Sequence, residues 1–110
     1  MIITRTPFRM SFFGGGSDLP AYYEQHDGAV LSTSINKYMY INLHKKFNTG
    51  LRLAYSEVEE VNDAVDLRHP IVRHTLKYFG ISGGLEISSI ADIPAKGTGL
   101  GSSSSYTVGL

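Results

Sequence analysis

The sequence predicts an α+β domain of two layers, because strand-like and helix-like segments are interspersed along the chain and one long stretch suits a β-hairpin. With 110 residues, the chain is long enough for one small domain with a modest core, so residues 1–110 are expected to form a single unit. Hydrophobic residues make up 42% of the chain and charged residues 18%. This composition is typical of a globular protein and not of a disordered one.

The N-terminal segment is rich in strand signals. Residues 1–13 suit two short strands separated by Pro7, and the glycine triplet that follows interrupts regular structure. Ser17 or Asp18 is then expected to cap a brief helix over residues 19–25.

The middle of the chain predicts a hairpin. Residues 29–47 are rich in β-branched and aromatic residues, and their polar and apolar positions alternate as in a strand. Residues 48–50 are a turn signal, and residues 51–55 suit a second, antiparallel strand. Residues 57–66 are acidic and predict a loop with a fragment of strand.

The C-terminal part predicts helix, strand, loop and helix in that order. Residues 66–80 carry apolar side chains near helical spacing, with an acidic start and a glycine stop. Residues 85–90 alternate apolar and polar side chains, as a half-buried strand does. A second helix is expected from Ser102 onwards.

The loop at residues 94–105 is the most informative segment, since it contains three glycines and four serines. Glycine permits positive φ and close approach of the backbone, so successive N–H groups can converge on one anion. The helix that follows adds further N–H groups and the positive end of its dipole, and serine hydroxyls can bind phosphate or Mg²⁺. A phosphate-binding loop is therefore predicted. The alternative is a flexible Gly/Ser linker, which the flanking apolar segments disfavour.

Two motifs together resemble those of the GHMP kinases. Residues 94–104, PAKGTGLGSSS, are similar to the PxxxGLGSSx motif that binds ATP in that family, and residues 6–18, TPFRMSFFGGGSD, are similar to its N-terminal substrate motif. Gly15 and Gly16 replace the Glu and His of the galactokinase form, and the resulting GGGSD resembles the heptose-phosphate kinases, with L-fucose kinases nearby. The resemblance implies the ribosomal-protein-S5 domain-2-like fold of the family's N-terminal domains.

The resemblance also implies roles for individual residues. Arg9 is expected to neutralise charge on the phosphoryl group in transfer, and Ser103 is expected to bind Mg²⁺. The residues expected to contact the sugar are Gly14, Gly15, Gly16, Ser17 and Asp18. The residues expected to contact ATP are Pro94, Lys96, Gly97, Thr98, Gly99, Leu100, Gly101, Ser102, Ser103 and Ser104.

Structural roles are the alternatives for several of these residues. Arg9 could instead pair with a carboxylate, Asp18 could cap a helix, and one of the serines could do the same. The histidines show no metal-ligand spacing and are assigned to strand, turn or helix surfaces; they are His26, His44, His69 and His74. The tyrosines are assigned mainly to core edges and hairpin faces.

Charge and composition limit the partners. Ten basic and ten acidic side chains balance, which gives no electrostatic argument for nucleic acid or an anionic membrane. The chain has no cysteine, so neither disulfides nor thiolate metal sites are available. It has no apolar run long enough for a membrane span and its N-terminus lacks a signal-peptide layout, so a cytoplasmic location is expected. The implied partners are ATP, Mg²⁺ and a sugar or sugar phosphate. The catalytic base is expected beyond residue 110, so the chain alone is expected to be inactive; a non-catalytic nucleotide or sugar sensor is the alternative.

Overall fold

The computed structural model describes residues 1–94 and 98–110. Lys96 and Gly97, both predicted to contact ATP, lie outside the described residues. The strands are β1 (Ile2–Phe13), β2 (Leu31–Lys45), β3 (Leu51–Ala54), β4 (Val58–Val61) and β5 (Leu85–Ala91). The helices are α1 (Pro20–Tyr23), α2 (Pro70–Tyr78) and α3 (Ser102–Gly109), with 3₁₀ turns at Gly15–Asp18 and Ala64–Asp66.

The five strands form one mixed sheet in the order β1-β2-β5-β3-β4. All neighbouring pairs are antiparallel except β3 and β5, which are parallel. The predicted hairpin between residues 29–47 and 51–55 is therefore wrong, because β5 lies between β2 and β3. The turn signal at residues 48–50 identifies where the chain reverses, but the distant β5 supplies the hydrogen-bonding partner for both strands.

The first strand is longer than predicted. Pro7 does not separate two strands; β1 runs through it with a shift of register between Pro7 and Arg9. Because proline lacks an N–H group, it is tolerated on an edge strand or at a bulge, and β1 is at the edge of the sheet.

The helix caps also differ from those predicted. Helix α1 has four residues, and its N-cap is Leu19, which makes no side-chain capping hydrogen bond. The capping predicted for Ser17 or Asp18 is therefore wrong, since both lie in the 3₁₀ turn that precedes Leu19. Helix α2 starts at Pro70 instead of residue 66, because the proline ring suits the first helical turn.

Helices α2 and α3 cover one face of the sheet, and the core lies between the two layers. The α+β two-layer prediction is confirmed. The largest fully buried side chains are Phe8, Ile41, Leu51, Leu53, Leu67, Val72 and Ile87. Within the described part of the chain, no helix has both the length and the apolar character that a membrane crossing requires.

Candidate functional site

Helix α3 runs antiparallel along β1, so that its N-terminus lies beside Arg9. The Ser105 hydroxyl, in the second half of the first turn, donates to the Pro7 carbonyl oxygen at 3.0 Å. Just before the helix, the Leu100 carbonyl oxygen accepts from the backbone N–H of Arg9 at 3.1 Å. The end of the glycine-rich loop is thus attached to the strand that carries the N-terminal motif.

The described end of the loop places backbone close to a cationic side chain. Gly99 and Gly101 have φ of +65° and +71°, in the left-handed region that favours glycine. A Cβ atom at Gly101 would lie 3.7 Å from Nε of Arg9, so the loop backbone lies against the guanidinium group. The first turn of α3 presents its N–H groups and the positive end of the helix dipole at the same place. This combination suits an anion such as a phosphate group.

The serine run divides into buried and exposed members. Ser105 is buried and bonded to β1, whereas Ser103 and Ser104 are exposed at the start of α3. A hydroxyl is a hard oxygen donor of the kind that Mg²⁺ accepts alongside phosphate oxygens and water. Within residues 1–94 and 98–110, no group of three or more His, Cys, Asp or Glu is placed to hold a metal.

The glycine triplet follows directly where β1 ends. Gly14 has φ of +86°, and a Cβ atom there would lie 1.9 Å from the carbonyl oxygen of Ala29. The Ser17 hydroxyl accepts from the backbone N–H of Ala29 at 3.1 Å and lies 2.7 Å from the Gly14 carbonyl oxygen. Gly14 and Ser17 therefore hold the turn against the segment before β2, while Gly15 and Asp18 are exposed.

A shallow depression of about 320 Å³ lies between this turn and the segment before β2. It is lined by Ser17, Asp18, Tyr23, Gly28, Ala29 and Val30. Arg9 precedes Gly14 by five residues on β1, about 17 Å of extended chain. The structure therefore places both predicted binding segments at β1. The glycine-rich loop contacts the strand at Arg9, and the glycine triplet follows the end of the strand.

A second concave surface, which was not predicted from the sequence, lies at the base of the glycine-rich loop. This aromatic pocket has a volume of about 260 Å³ and is lined by Met39, Tyr55, Ser56, His69, Ser89, Ile90, Ala91 and Tyr106. The chain enters the loop from the end of β5, at Ala91, and leaves it through α3, which carries Tyr106. The pocket is therefore bordered by the segments on both sides of the loop.

Three aromatic rings form one wall of this pocket. The ring of His69 stacks on Tyr106, with centroids 5.1 Å apart and planes at 29°, and meets the ring of Tyr55 edge-on at 4.8 Å. Burial lowers the pKa of His69 and raises the pKa of Tyr106 to about 12. At neutral pH both rings are therefore uncharged, and the wall suits a flat heterocycle that can pack against aromatic faces.

The sequence predicts a strand, turn or helix-surface position for His69, and core edges or hairpin faces for the tyrosines. His69 does have a structural role, because its Nδ1 accepts from the backbone N–H of Val72 at the start of α2. Its part in the pocket wall was missed because the three rings come from separate elements, and no local pattern brings them together.

Alkaline pH is expected to destabilise the fold through Tyr106. The raised pKa means that the folded state favours the neutral phenol, so this contribution is complete below pH 10 and is lost as pH rises towards about 12. We expect the free energy of unfolding of the wild type to fall by about 2 kcal/mol relative to that of Tyr106→Phe over this range. Urea unfolding at pH 9, 10 and 11.5 measures the difference. A gap that stays constant with pH contradicts the prediction.

Comparison with known proteins reveals one informative relative in sequence and several in structure. The chain is 31% identical over 121 residues to D-glycero-alpha-D-manno-heptose 7-phosphate kinase of Campylobacter jejuni, across 99% of this chain and 35% of that protein. No protein-family profile matches the sequence. The chain spans little more than a third of the length of the curated relative.

Two solved structures illustrate the likeness in fold. D-glycero-D-manno-heptose 1-phosphate kinase from Bacteroides thetaiotaomicron superposes with a TM-score of 0.84 at 22% identity, over 99% of this chain and 39% of that one. Methanococcus jannaschii mevalonate kinase superposes with a TM-score of 0.71 at 22% identity, over 98% of this chain and 37% of that one. Both comparisons support the two-layer α+β fold.

Proposed function

We propose that the chain belongs to the GHMP kinase superfamily and that residues 1–110 form the N-terminal ATP-binding domain of a sugar kinase. One observation carries the proposal. The glycine-rich loop ends against Arg9, so that a helix N-terminus and a guanidinium group from the two motifs face a common position where phosphate can bind.

The triphosphate of ATP is proposed to bind at the first turn of α3. The backbone N–H groups of the loop and the start of the helix would hold its oxygens, and Ser103 would supply one ligand to Mg²⁺. When bound, Mg²⁺ neutralises charge on the phosphates. The full set of residues proposed to contact the nucleotide is Pro94, Lys96, Gly97, Thr98, Gly99, Leu100, Gly101, Ser102, Ser103 and Ser104.

The aromatic pocket is the proposed position of the nucleobase. Tyr106 follows Ser103 by three residues in α3, so a base that packs beside Tyr106 lies close to phosphates at the helix N-terminus. The pocket is mainly apolar, with serine hydroxyls and the neutral His69 ring available for hydrogen bonds. Its volume of about 260 Å³ is sufficient for a single heterocyclic base.

The proposed reaction transfers the γ-phosphoryl group of ATP to a hydroxyl of a sugar. The acceptor oxygen attacks the γ-phosphorus, the bond to the bridging oxygen breaks, and Arg9 stabilises the charge on the transferring oxygens. The proton of the acceptor hydroxyl requires a base, which we place beyond residue 110. We accordingly propose that residues 1–110 alone do not catalyse transfer.

The acceptor is proposed to be a heptose phosphate, phosphorylated at its anomeric hydroxyl, with L-fucose or galactose as alternative acceptors. Gly15 and Gly16 carry no side chain, and no atom of the described residues lies within 4 Å of a Cβ built on either. This leaves room for a long sugar, and the two carboxyl oxygens of Asp18 can accept hydrogen bonds from two hydroxyls. We place the enzyme in the cytoplasm, where ATP is available.

A matched pair of glycine variants tests nucleotide binding. Gly99 and Gly80 both have positive φ, +65° and +68°, and a Cβ atom at either would meet no described atom within 4 Å. Alanine at each position therefore introduces the same strain, about 1–2 kcal/mol. We expect Gly99→Ala to weaken Mg-ATP binding about tenfold in calorimetry, and Gly80→Ala, at the end of α2, to leave it unchanged. No measurable ATP binding by the wild type, or equal affinities in both variants, would contradict the proposal.

A further inference from the structure

A buried carboxylate lies behind the aromatic pocket. Glu59, on β4, is 5% exposed, and among the described residues no other charged residue is buried. Its neighbours Val58 and Glu60 are exposed, because alternate side chains of a strand point to opposite faces. Burying an ion is costly unless hydrogen bonds satisfy it, so the partners of Glu59 indicate what its charge does.

Both carboxylate oxygens of Glu59 are occupied. The Tyr55 hydroxyl donates to Oε1 at 2.9 Å, and the backbone N–H of Arg68 donates to Oε2 at 2.7 Å. Burial alone would raise the pKa of Glu59, but the hydrogen bonds from Arg68 and Tyr55 and the charge of the Arg68 guanidinium, whose Nε lies 3.8 Å from Oε2, lower it. The carboxylate is therefore ionised at neutral pH and bound to groups from two segments.

These two segments carry two of the three rings in the pocket wall. Glu59 holds Tyr55 through its hydroxyl, and it holds the backbone N–H of Arg68, the residue next to His69. Tyr55 and His69 contact each other edge-on, and His69 stacks on Tyr106. The Glu59 carboxylate thus links β4 to the three rings through hydrogen bonds, although Glu59 itself does not line the pocket.

We propose that Glu59 is a positioning residue that sets the aromatic wall for a heterocyclic base, an inference that rests on the proposed function. It does not line the aromatic pocket. It acts by holding Tyr55 and His69 at the orientation in which their faces and edges bound the cavity. A hydrogen bond to a charged group is stronger than one between neutral groups, so the bond to Glu59 favours one orientation of the Tyr55 ring.

Substitutions at Glu59 separate positioning from general stability. Glu59→Leu puts an apolar side chain in place of the carboxylate and leaves the Tyr55 hydroxyl and the Arg68 N–H without their acceptor. Glu59→Gln restores both bonds, because the amide oxygen can accept from the N–H of Arg68 while the amide nitrogen donates to the Tyr55 oxygen. The matched control is Glu60→Leu, the same change one residue later on the exposed face, where Glu60 pairs with Arg52.

Calorimetry with two probes reads out the base and the phosphates separately. For Glu59→Leu we expect Mg-ATP affinity to fall about tenfold, while affinity for Mg-tripolyphosphate, which has no base, stays within about twofold. Glu59→Gln and Glu60→Leu are expected to bind both probes as the wild type does. Unchanged ATP affinity in folded Glu59→Leu, or an equal loss for both probes, overturns the proposal.

A second measurement keeps the inference distinct from the proposed function. Nuclear Overhauser effects between the His69 ring and the rings of Tyr55 and Tyr106 report the wall in the absence of nucleotide. We expect them in the wild type and in Glu59→Gln, and we expect them to weaken in Glu59→Leu. If the wild type binds no ATP, the proposed function fails, but these Overhauser effects still test the role of Glu59. Effects that persist unchanged in Glu59→Leu refute the positioning role of Glu59. If Glu59→Leu does not fold, Tyr55→Phe removes one of the same bonds and keeps the ring.

Discussion

Replacing Arg9 with alanine is expected to lower the rate of the proposed phosphoryl transfer by about 10²–10³-fold, the loss typical of one electrostatic group aimed at developing charge. The guanidinium group lies beside the loop at Gly101, where the phosphates are proposed to bind. Arg9→Lys should recover only part of the rate, since an ammonium group cannot donate two parallel hydrogen bonds to phosphate. Steady-state kinetics with saturating Mg-ATP measures the effect.

Arg5→Ala is the matched control for this experiment. Arg5 is on the same strand, but its guanidinium lies 4.7 Å from the ring centroid of Tyr38, away from the loop. We expect little change in turnover from this variant. Equal rates for the wild type and Arg9→Ala would show that Arg9 takes no part in the reaction.

The proposed acceptor is tested with heptose 7-phosphate, L-fucose and galactose. Activity confined to galactose overturns the proposal of a heptose acceptor.

Replacing Gly14 with alanine will detach the glycine turn from the segment before β2. The new Cβ would lie 1.9 Å from the Ala29 carbonyl oxygen, and φ at this position is +86°. Left-handed strain costs about 1–2 kcal/mol, and the steric overlap adds about 1–3 kcal/mol. Because residues 14–30 are largely exposed, the segment can open locally without unfolding of the core. We expect faster amide hydrogen exchange at Ser17 and Ala29, and at least a tenfold rise in the acceptor KM.

Gly84→Ala separates strain from steric overlap in this prediction. Gly84 also has positive φ, +74°, but a Cβ atom there meets no described atom within 4 Å. The control should therefore show only the cost of strain, and it should leave exchange at Ser17 and Ala29 unchanged. If Gly14→Ala also leaves amide exchange in that turn unchanged, the contact between Gly14 and Ala29 does not hold the turn in place, and the prediction is wrong.

Local features of the chain were predictable where neighbouring residues decide the conformation. Helix α3 begins at Ser102, as predicted, because glycines and serines at its start favour a loop followed by a helix. Helix α2 was also expected, but its start moved to Pro70 because proline suits the first turn and His69 provides the cap.

Features that depend on distant partners were not predictable in the same way. A strand pattern indicates which residues face the core, but it does not identify the neighbouring strand, so β5 was not expected between β2 and β3. For the same reason the contact of the loop with Arg9 could be expected only from the family resemblance. The aromatic pocket had no signal at all, since Tyr55, His69 and Tyr106 come from elements far apart in the chain.

The sequence alone determines the glycine-rich loop, the helix that follows it, the glycine turn after the first strand and the two-layer class. The reason is that the backbone freedom of glycine and the periodicity of side chains act over a few residues. Tertiary structure decides the strand order, the attachment of α3 to β1, and the ring arrangement that Glu59 supports. These depend on which distant surfaces exclude water together and which buried polar groups find partners, and such pairings are settled only when the whole chain packs.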